Sequence, residues 1–289
     1  MNPAAGMHDN TQHEAVQSVF RSAGARSYID IVTGSGLEDS VRQAVMGGAQ
    51  VIGVAGGDGT ISSAANALVR TQAAMLPIPL GTRNHFATRY GISDLDSAAQ
   101  AWRAKTVNAV HVGAVNDRVF VNNASCGFYP KAVRYRERLE SLMPRTPAIW
   151  LAGLRVLLEL PLLHVQIAVG DEVRQLRTPA LWVGIGRNSL KLPANGDAGG
   201  AEAVLEAISG RADTRSAIVK TALRLVRHVK RGITLQDDRL DVVHTREFTL
   251  AARKAIDVAL DGEPFRLQPP LEFAVLENAL RVMGSVRGH

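Results

Sequence analysis

The sequence predicts an α/β domain followed by a mainly antiparallel β domain, and three features support this prediction. Up to about residue 110, short apolar segments alternate with helical patterns, a succession typical of a doubly wound parallel sheet. Beyond that point the segments are short, rich in β-branched residues and bounded by turn signals, as in antiparallel sheets. The 289 residues suffice for two domains of ordinary size. We therefore place the domains at 1–110 and 111–289.

The first half contains the strand and helix signals of an α/β domain. The chain opens on MNPAAG, an Asn-Pro turn and a glycine without a strand before them. Such a turn normally follows the first strand of a doubly wound domain, so we expect that strand to be missing from this sequence. We predict strands at 51–55 and 75–80, and helices around 37–45, 60–70, 84–90 and 95–104.

The second half contains many short strand signals and three helical patterns. The clearest loop is PANGDAGGA at 193–201. The tail of the chain can return to the first domain. We predict helices near 130–143, 147–160 and 214–231, and strands at 106–115, 119–125, 163–170, 180–186, 240–244, 247–252, 255–261 and 271–276.

Composition and charge narrow the function classes. Apolar residues make up 46% and charged residues 21%, which is an ordinary globular composition. The formal charge of +6 favours an anionic partner: phosphates, nucleic acid or an anionic membrane surface. Only 5% of the residues are aromatic, so stacking platforms are few and we expect no nucleic-acid partner. The histidines and the single cysteine lack zinc-ligand spacing, and Cys126 is expected to be a small core residue.

The sequence predicts neither a membrane span nor a signal peptide. The most apolar segment, 149–163, is about 15 residues long and carries Arg155 and Glu159, whereas a span needs roughly 20 apolar residues. The N-terminus has no basic segment followed by an apolar run. We therefore expect a cytoplasmic protein.

Three loops together indicate a phosphate-binding site. They read NPAAG at 2–6, GGDGT at 56–60 and PLGTRN at 79–84, and each follows, or would follow, a strand of the α/β half. Their glycines let a ligand approach the main chain, and Thr60 can cap the next helix. A phosphate at the N-terminus of that helix would meet free amides and the positive end of its dipole. A tight turn is the alternative for Asp58-Gly59, and no P-loop or dinucleotide fingerprint is present.

The order and spacing of several motifs resemble the diacylglycerol kinase catalytic-domain family, which includes bacterial lipid kinases and sphingosine and ceramide kinases. GGDGT alone is shared with NAD kinases and phosphofructokinases, whereas the Pro-Leu-Gly-Thr-x-Asn loop favours a lipid kinase. The motifs that support the resemblance span nearly the whole chain: NPAAG, GGDGTI, PLGTRNHFA, YPKAVRYRE, VALDGEPF and PLEFAVLENALRVM.

The resemblance implies a nucleotide-binding α/β domain, a β-sandwich domain and ATP in the cleft between them. It implies that Asp261 is the catalytic aspartate and that Glu263 is its acidic neighbour near a metal. Matched position by position, the residues that would contact the nucleotide are Asn2, Gly6, Gly56, Gly57, Asp58, Gly59, Thr60, Gly81, Thr82 and Asn84.

These residue types suit phosphoryl transfer. An alcohol attacks the γ-phosphorus of ATP poorly unless its proton is accepted and the phosphate charge is neutralised. A carboxylate such as Asp261 can act as the general base. Mg²⁺ shared between phosphate oxygens and Asp58 or Glu263 would neutralise charge. The alternative for Asp261-Gly262 is an ordinary hairpin turn.

The sequence departs from the family pattern at several positions. His85 stands where aspartate is more usual after the loop asparagine, and Ser62-Ser63 replace a common Asn-Glu pair. The region around 197–206 lacks the usual Asp-Gly-x-Leu-Asp. Asp197, Glu202 and Glu206 are candidate substitutes there, but their spacing is wrong for the structural Mg²⁺ of the family.

A basic segment points to the partner. Residues 215–231 place apolar side chains on one helical face and four cations on another, so the basic face can lie near anionic headgroups. We expect an ATP-dependent lipid kinase that acts on diacylglycerol or a related lipid alcohol, associates peripherally with a membrane, and is compatible with a homodimer. The alternatives are an NAD kinase-like enzyme and a non-catalytic nucleotide- or lipid-binding relative.

Overall fold

The computed structural model describes residues 10–32, 34, 36–81, 84–159, 162–187, 202–210 and 240–285. The predicted turn at 2–6, the loop at 193–201 and the basic helix at 214–231 lie outside these residues. The described helices are α1 (Asn10–Ser22), α2 (Gly36–Met46), α3 (Asp58–Leu68), α4 (His85–Arg89), α5 (Leu95–Ala104), α6 (Phe128–Glu140) and α7 (Arg145–Glu159).

The described strands form one mixed sheet of eight strands and one antiparallel sheet of six. The strands of the mixed sheet are β1 (Val51–Gly56), β2 (Ala74–Pro79), β3 (Val107–Val115), β4 (Arg118–Phe120), β6 (Leu163–Val169), β7 (Glu172–Thr178), β11 (Glu247–Ala251) and β14 (Leu271–Met283). Those of the antiparallel sheet are β5 (Asn123–Gly127), β8 (Ala180–Ile185), β9 (Leu205–Gly210), β10 (Leu240–Thr245), β12 (Ile256–Leu260) and β13 (Glu263–Leu267).

Helices cover both faces of the parallel strands β1 and β2, which confirms the predicted α/β class. Side chains alternate along β2: Met75 packs with α2 and α3, whereas Leu76 and Ile78 pack on the opposite face with α1 and α5. The two strands pair in parallel, so their carboxyl ends meet at one edge of the sheet. The glycine loops that follow them are therefore neighbours.

The two sheets enclose the second core, as the β-sandwich-like prediction requires. Apolar side chains from β11 and β14 of the mixed sheet pack against side chains from β5, β8 and β12 of the antiparallel sheet. Phe248 and Phe273 stack there with their ring centroids 4.6 Å apart. Cys126 is fully buried in this core, and burial raises the pKa of its thiol to about 12. Its expected structural role is confirmed.

The long strand β14 joins the two halves of the mixed sheet. It pairs in parallel with β2, where Arg281 lies opposite Ala74, and antiparallel with β3 and β11. The register of β14 against β3 shifts between Leu276 and Leu280. The strand is thus longer than its predicted range of 271–276, because the pairing resumes after the irregularity.

The structure corrects several local predictions. The predicted strand 119–125 is two strands, β4 and β5, which belong to different sheets. Strands β7, β9 and β13 were not predicted. The side chains of β7 are mostly exposed and polar, so its sequence EVRQLRT lacks apolar alternation. The predicted helix 60–70 begins earlier, at Asp58, and its N-cap is Gly57 rather than Thr60.

Candidate active site

Asp261 lies in the two-residue turn between β12 and β13. Asp261 has a φ of 49° and Gly262 a φ of 94°, which is the left-handed pair that a tight antiparallel hairpin requires. The hairpin turn considered as an alternative is therefore present. It also directs the Asp261 carboxylate toward α3 and toward the segment 121–123 that leads into β5, because these supply its partners.

Four donors bind the Asp261 carboxylate. Oδ1 accepts the amides of Asn122 at 2.7 Å and Asn123 at 3.0 Å. Oδ2 accepts the amide of Val121 at 2.9 Å and the hydroxyl of Ser62 at 2.6 Å. These hydrogen bonds lower the pKa of Asp261, but the desolvation caused by burial outweighs them, so its pKa is raised above the ordinary value. Asp261 is thus a fixed, half-buried carboxylate.

Arg89 holds the segment that supplies these amides. Its guanidinium donates to the carbonyl of Val121 at 3.3 Å and to Oδ1 of Asn122 at 3.1 Å. Arg89 belongs to α4, the helix that follows the PLGTRN loop. Sequence reasoning missed both Arg89 and the amides, because nothing in their local pattern marks them. It noted Ser62 only as a departure from the family pattern.

The acidic hairpin lies against the first turns of α3. Ser62, one turn into that helix, donates to Asp261. A Cβ placed on Gly59 would lie 2.9 Å from Oε1 of Glu263. Any residue other than glycine at position 59 would therefore displace the Glu263 carboxylate. The tertiary structure therefore brings Asp261 and Glu263 to the same helix end as the GGDGT loop.

The two described glycine loops are in main-chain contact. A Cβ on Gly81 would lie 2.5 Å from the Cα of Gly57, and the amide of Leu80 donates to the carbonyl of Gly56 at 3.2 Å. The Asn84 side chain accepts the Gly81 amide and donates back to the Gly81 carbonyl, which closes its own loop. Asn84 therefore shapes the loop.

Asp58 links the GGDGT loop to α4. Its carboxylate accepts the amide of His85 at 3.2 Å and that of Phe86 at 3.1 Å, the first two residues of that helix. Thr60 is buried, and its side chain packs directly beneath Gly56. These two side chains fix the shape of the loop, whereas Gly56, Gly57 and Gly59 surround the helix N-terminus.

Three predicted nucleotide-binding residues and Asp197 lie outside the described residues, and the two described acids near residue 200 have different partners. The three nucleotide-binding residues are Asn2, Gly6 and Thr82. Glu202 forms an ion pair with Arg187. Glu206 is buried on β9 and lies 3.1 Å from Nε2 of His244. Within the part of the chain that the structure describes, no cluster of three or more acids, histidines or cysteines has the arrangement of a metal site.

Comparison with solved structures identifies the fold. A crystal structure of a diacylglycerol kinase from Bacillus anthracis str. Sterne covers 98% of this chain and 94% of its own, with a TM-score of 0.66 and 17% identity. A further structure from the same strain gives a TM-score of 0.72 at 19% identity and covers 98% and 95% of the two chains. The fold is therefore that of diacylglycerol-kinase-like proteins.

The family assignment rests on sequence. The family model of the diacylglycerol kinase catalytic domain matches residues 1–115. The resemblance seen in the motifs is thereby confirmed.

Curated bacterial relatives carry lipid kinase names. A "Probable lipid kinase YegS-like" of Pseudomonas aeruginosa is 34% identical over 42% of this chain, and the match spans only 41% of that relative. A "Probable lipid kinase YegS" of Salmonella paratyphi A is 26% identical over 94% of this chain and 91% of its own length.

Proposed function

We propose that the protein is an ATP-dependent lipid kinase that transfers the γ-phosphate to a hydroxyl of diacylglycerol or a related lipid alcohol. One observation carries the proposal: the acidic hairpin of Asp261 and Glu263 touches the helix that the GGDGT loop opens, through Ser62 and Gly59. A phosphate bound at that helix N-terminus would lie beside both carboxylates. The match of residues 1–115 to the family model supports the same chemistry.

Asp261 is the proposed general base. The lipid hydroxyl would give its proton to Asp261 while its oxygen bonds to the γ-phosphorus, and the bond from phosphorus to the bridging oxygen would break to release ADP. The raised pKa of Asp261 suits a base, because a carboxylate with a higher proton affinity accepts a proton more readily.

Ser62 controls access to the Asp261 carboxylate. A carboxylate has about four lone-pair positions, and all four are occupied by the donors described above. Three of the donors are main-chain amides that the fold holds in place, whereas the Ser62 hydroxyl can rotate. A substrate hydroxyl would therefore reach Asp261 by replacing the hydrogen bond of Ser62 or by passing its proton through it.

Glu263 fits a Mg²⁺ site better than Asp58 does. Mg²⁺ in kinases is held by one or two carboxylates together with phosphate oxygens and water. Glu263 is exposed beside the helix N-terminus, and its side chain makes no hydrogen bond to the residues that the structure describes. Both oxygens of Asp58 already accept α4 amides. The metal would supply electrostatic neutralisation of the phosphate, with Glu263 as its principal protein ligand.

The remaining nucleotide contacts are proposed from the loop geometry and the family. Gly56, Gly57, Gly59 and Gly81 allow phosphates to approach the main chain at the carboxyl ends of β1 and β2. Thr60, Asn84 and Asp58 hold these loops in shape. Asn2, Gly6 and Thr82 complete the proposed set on the strength of the motif match alone. The lipid would be reached at an anionic membrane surface.

The decisive experiment compares Asp261→Asn with Asp117→Asn. Both aspartates lie in short hairpin turns, and Asp117 is exposed between β3 and β4 with no described partner. Turnover of ATP with Mg²⁺ is measured against diacylglycerol, sphingosine, ceramide, phosphatidylglycerol and NAD. We expect wild type and Asp117→Asn to phosphorylate a lipid, and Asp261→Asn to lose about 10²–10⁴-fold in rate.

Folding is checked separately, because Asp261→Asn places an amide group against main-chain donors. A loss of activity supports the role of Asp261 only if circular dichroism and thermal unfolding show that the Asp261→Asn protein is folded. Wild-type turnover in that variant would contradict the role of Asp261. Phosphorylation of NAD alone would favour the NAD kinase-like alternative, and no turnover on any acceptor would favour the non-catalytic one.

A further inference from the structure

Among the side chains of α7 that the structure describes, the buried ones are alanines, whereas the large apolar ones are exposed. Ala148 and Ala152 are 0% and 1% exposed. Trp150 between them is 77% exposed, and Ile149 and Leu151 on either side of it are also exposed. A helix that only needed to pack on the β domain would bury its largest apolar groups. The described side chains of α7, at 146–153 and 155, show the reverse pattern.

These exposed side chains lie in the first two turns of α7, where Ile149 and Leu151 flank Trp150. Successive residues on a helix turn by about 100°, so Trp150 lies about 180° from the pair Ala148 and Ala152 and points away from the protein. Leu142, in the short turn that connects α6 to α7, is 81% exposed. The apolar ridge consists of Leu142, Ile149, Trp150 and Leu151.

A basic cavity lies on the neighbouring helix. Positions 131, 134, 135 and 138 have the i, i+3, i+4, i+7 spacing of one face of α6. That face and β12–β13 enclose about 310 Å³. Four cations and one acid line the cavity, and the acid, Asp257, is paired with Arg134 and lies near Arg266. The lining residues are Lys131, Arg134, Tyr135, Arg138, Asp257 and Arg266.

The cavity is therefore a site for an anion. Within the described ranges, neither Lys131 nor Arg138 has a carboxylate partner, so their charges are available to a ligand. The only acid in the cavity is already shared between two arginines. Arginine forks and lysine ammonium groups around a small cavity are suited to phosphate oxygens.

A contact between Tyr135 and Arg155 links the wall of the basic cavity to α7. Tyr135 lines the cavity, and the guanidinium of Arg155 on α7 lies 4.7 Å from the centre of its ring. Leu151 is one helical turn before Arg155 on the same helix. The cations of α6 and the exposed apolar side chains of α7 thus belong to one helical hairpin, and Tyr135 and Arg155 connect its two helices. A bilayer offers a partner to both kinds of group, because its phosphates lie above its hydrocarbon.

The helix pair is suited to lie on a membrane rather than to cross it. α7 has 15 residues, and no helix in the described segments has the length and apolar content required to cross a bilayer. A helix with an apolar ridge and adjacent cations binds in the interfacial plane, where apolar area and attraction to anionic lipids both contribute.

We propose that the α6–α7 hairpin docks on an anionic bilayer, with Leu142, Ile149, Trp150 and Leu151 in the interface and the basic cavity on headgroup phosphates. The inference rests on the proposed function, because a bilayer is where a lipid substrate lies. The position of the hairpin agrees with this role: Arg134 pairs with Asp257, which is four residues, or about 13 Å of strand, before Asp261. Docking there brings the bilayer close to the catalytic hairpin.

The test is sedimentation of the full chain with vesicles of equal parts phosphatidylcholine and phosphatidylglycerol, and with phosphatidylcholine alone. Trp150→Glu is compared with Met46→Glu, because Met46 is also an exposed apolar residue (79%) but lies on α2. Arg138→Gln is compared with Lys254→Gln, an exposed cation outside the cavity.

We expect Trp150→Glu to weaken vesicle binding about tenfold or more, because a charge replaces the largest apolar group of the ridge. Arg138→Gln should weaken binding to the anionic vesicles about fivefold, the effect of one cation near a charged surface, and added salt should reduce that difference. Both control variants should bind like wild type. Wild-type binding by Trp150→Glu, or equal binding to both kinds of vesicle, would overturn the proposal.

Two further measurements separate this proposal from its alternatives and from the proposed function. Asp261→Asn should bind vesicles normally even though it lacks activity, and Trp150→Glu should keep wild-type turnover of a water-soluble, short-chain lipid alcohol. If no lipid alcohol is a substrate, vesicle binding still reports on the hairpin. If Trp150→Glu instead changes the oligomeric state in size-exclusion chromatography and leaves vesicle binding intact, the ridge contacts a second copy and the proposal fails.

Discussion

Replacing Ser62 with alanine should destabilise the protein in a pH-dependent way. The Ser62 hydroxyl donates to Oδ2 of Asp261 over 2.6 Å, the short distance typical of a hydrogen bond to an ionised carboxylate. Such a bond contributes about 1.5–3 kcal/mol. Alanine cannot donate, and the three remaining donors are main-chain amides that cannot move to replace it. We therefore expect the free energy of unfolding at neutral pH to fall by about this amount.

The pH dependence follows from the direction of the pKa shift. Burial raises the pKa of Asp261 in the folded state, so folded protein binds the proton more tightly than unfolded protein does. Stability therefore decreases as the pH rises from the unfolded pKa through the folded one. Loss of the Ser62 hydrogen bond raises the folded pKa further. The stability deficit of Ser62→Ala should thus be largest above the folded pKa and shrink in acid, where the carboxyl group is neutral.

The assay is urea unfolding followed by tryptophan fluorescence at several pH values, with Ser63→Ala as the matched control. Ser63 is the next residue of α3, and its side chain makes no described hydrogen bond. Both variants gain the same small helix propensity of alanine, so their difference isolates the bond to Asp261. Equal unfolding midpoints for the two variants at every pH would refute the reasoning. In the proposed kinase, Ser62→Ala should also move the acidic limb of the pH–rate profile to higher pH.

Two further substitutions test the loops. Gly81→Ala places a Cβ 2.5 Å from the Cα of Gly57, so it should separate the loops and lower the free energy of unfolding by about 1–3 kcal/mol. It should also abolish nucleotide-induced thermal stabilisation, whereas Gly153→Ala, with open space around the new Cβ, should keep that stabilisation. Asp58→Ala removes the carboxylate that accepts the first two amides of α4, so it should lower the free energy of unfolding by about 0.5–2 kcal/mol. Chemical denaturation measures this change, and an unchanged midpoint would show that water replaces the carboxylate without cost.

The elements best predicted from sequence are those whose signals are local. The helix α5 has its predicted bounds of 95–104, because Asp94 and Ser97 form a capping box and small apolar residues define its buried face. Strand β1 also follows its prediction closely, since its apolar run ends in glycines. Strand β9 was missed because a buried polar residue, Glu206, interrupts its apolar pattern, and its partner His244 is 38 residues away.

The motif match supplied the residues of the candidate site but not the contacts between them. The motif match named Asp261, Glu263 and the glycine loops, and the tertiary structure brings Asp261 and Glu263 to one helix end. The partners of Asp261 are Ser62, 199 residues away, and amides 138–140 residues away. No local pattern can encode such pairings, because they depend on how two sheets and α3 meet.

The sequence by itself determined the α/β class of the first half, the β-rich character of the second and the residue types available for phosphoryl transfer, because hydrophobic periodicity and turn chemistry act between neighbours along the chain. Only the tertiary structure decided that Asp58 accepts the amides of α4, that Ser62 holds Asp261, and that Trp150 faces outward while Ala148 and Ala152 are buried. Those outcomes depend on which distant surfaces come into contact when the chain folds, and helical spacing alone does not specify which face of α7 is covered.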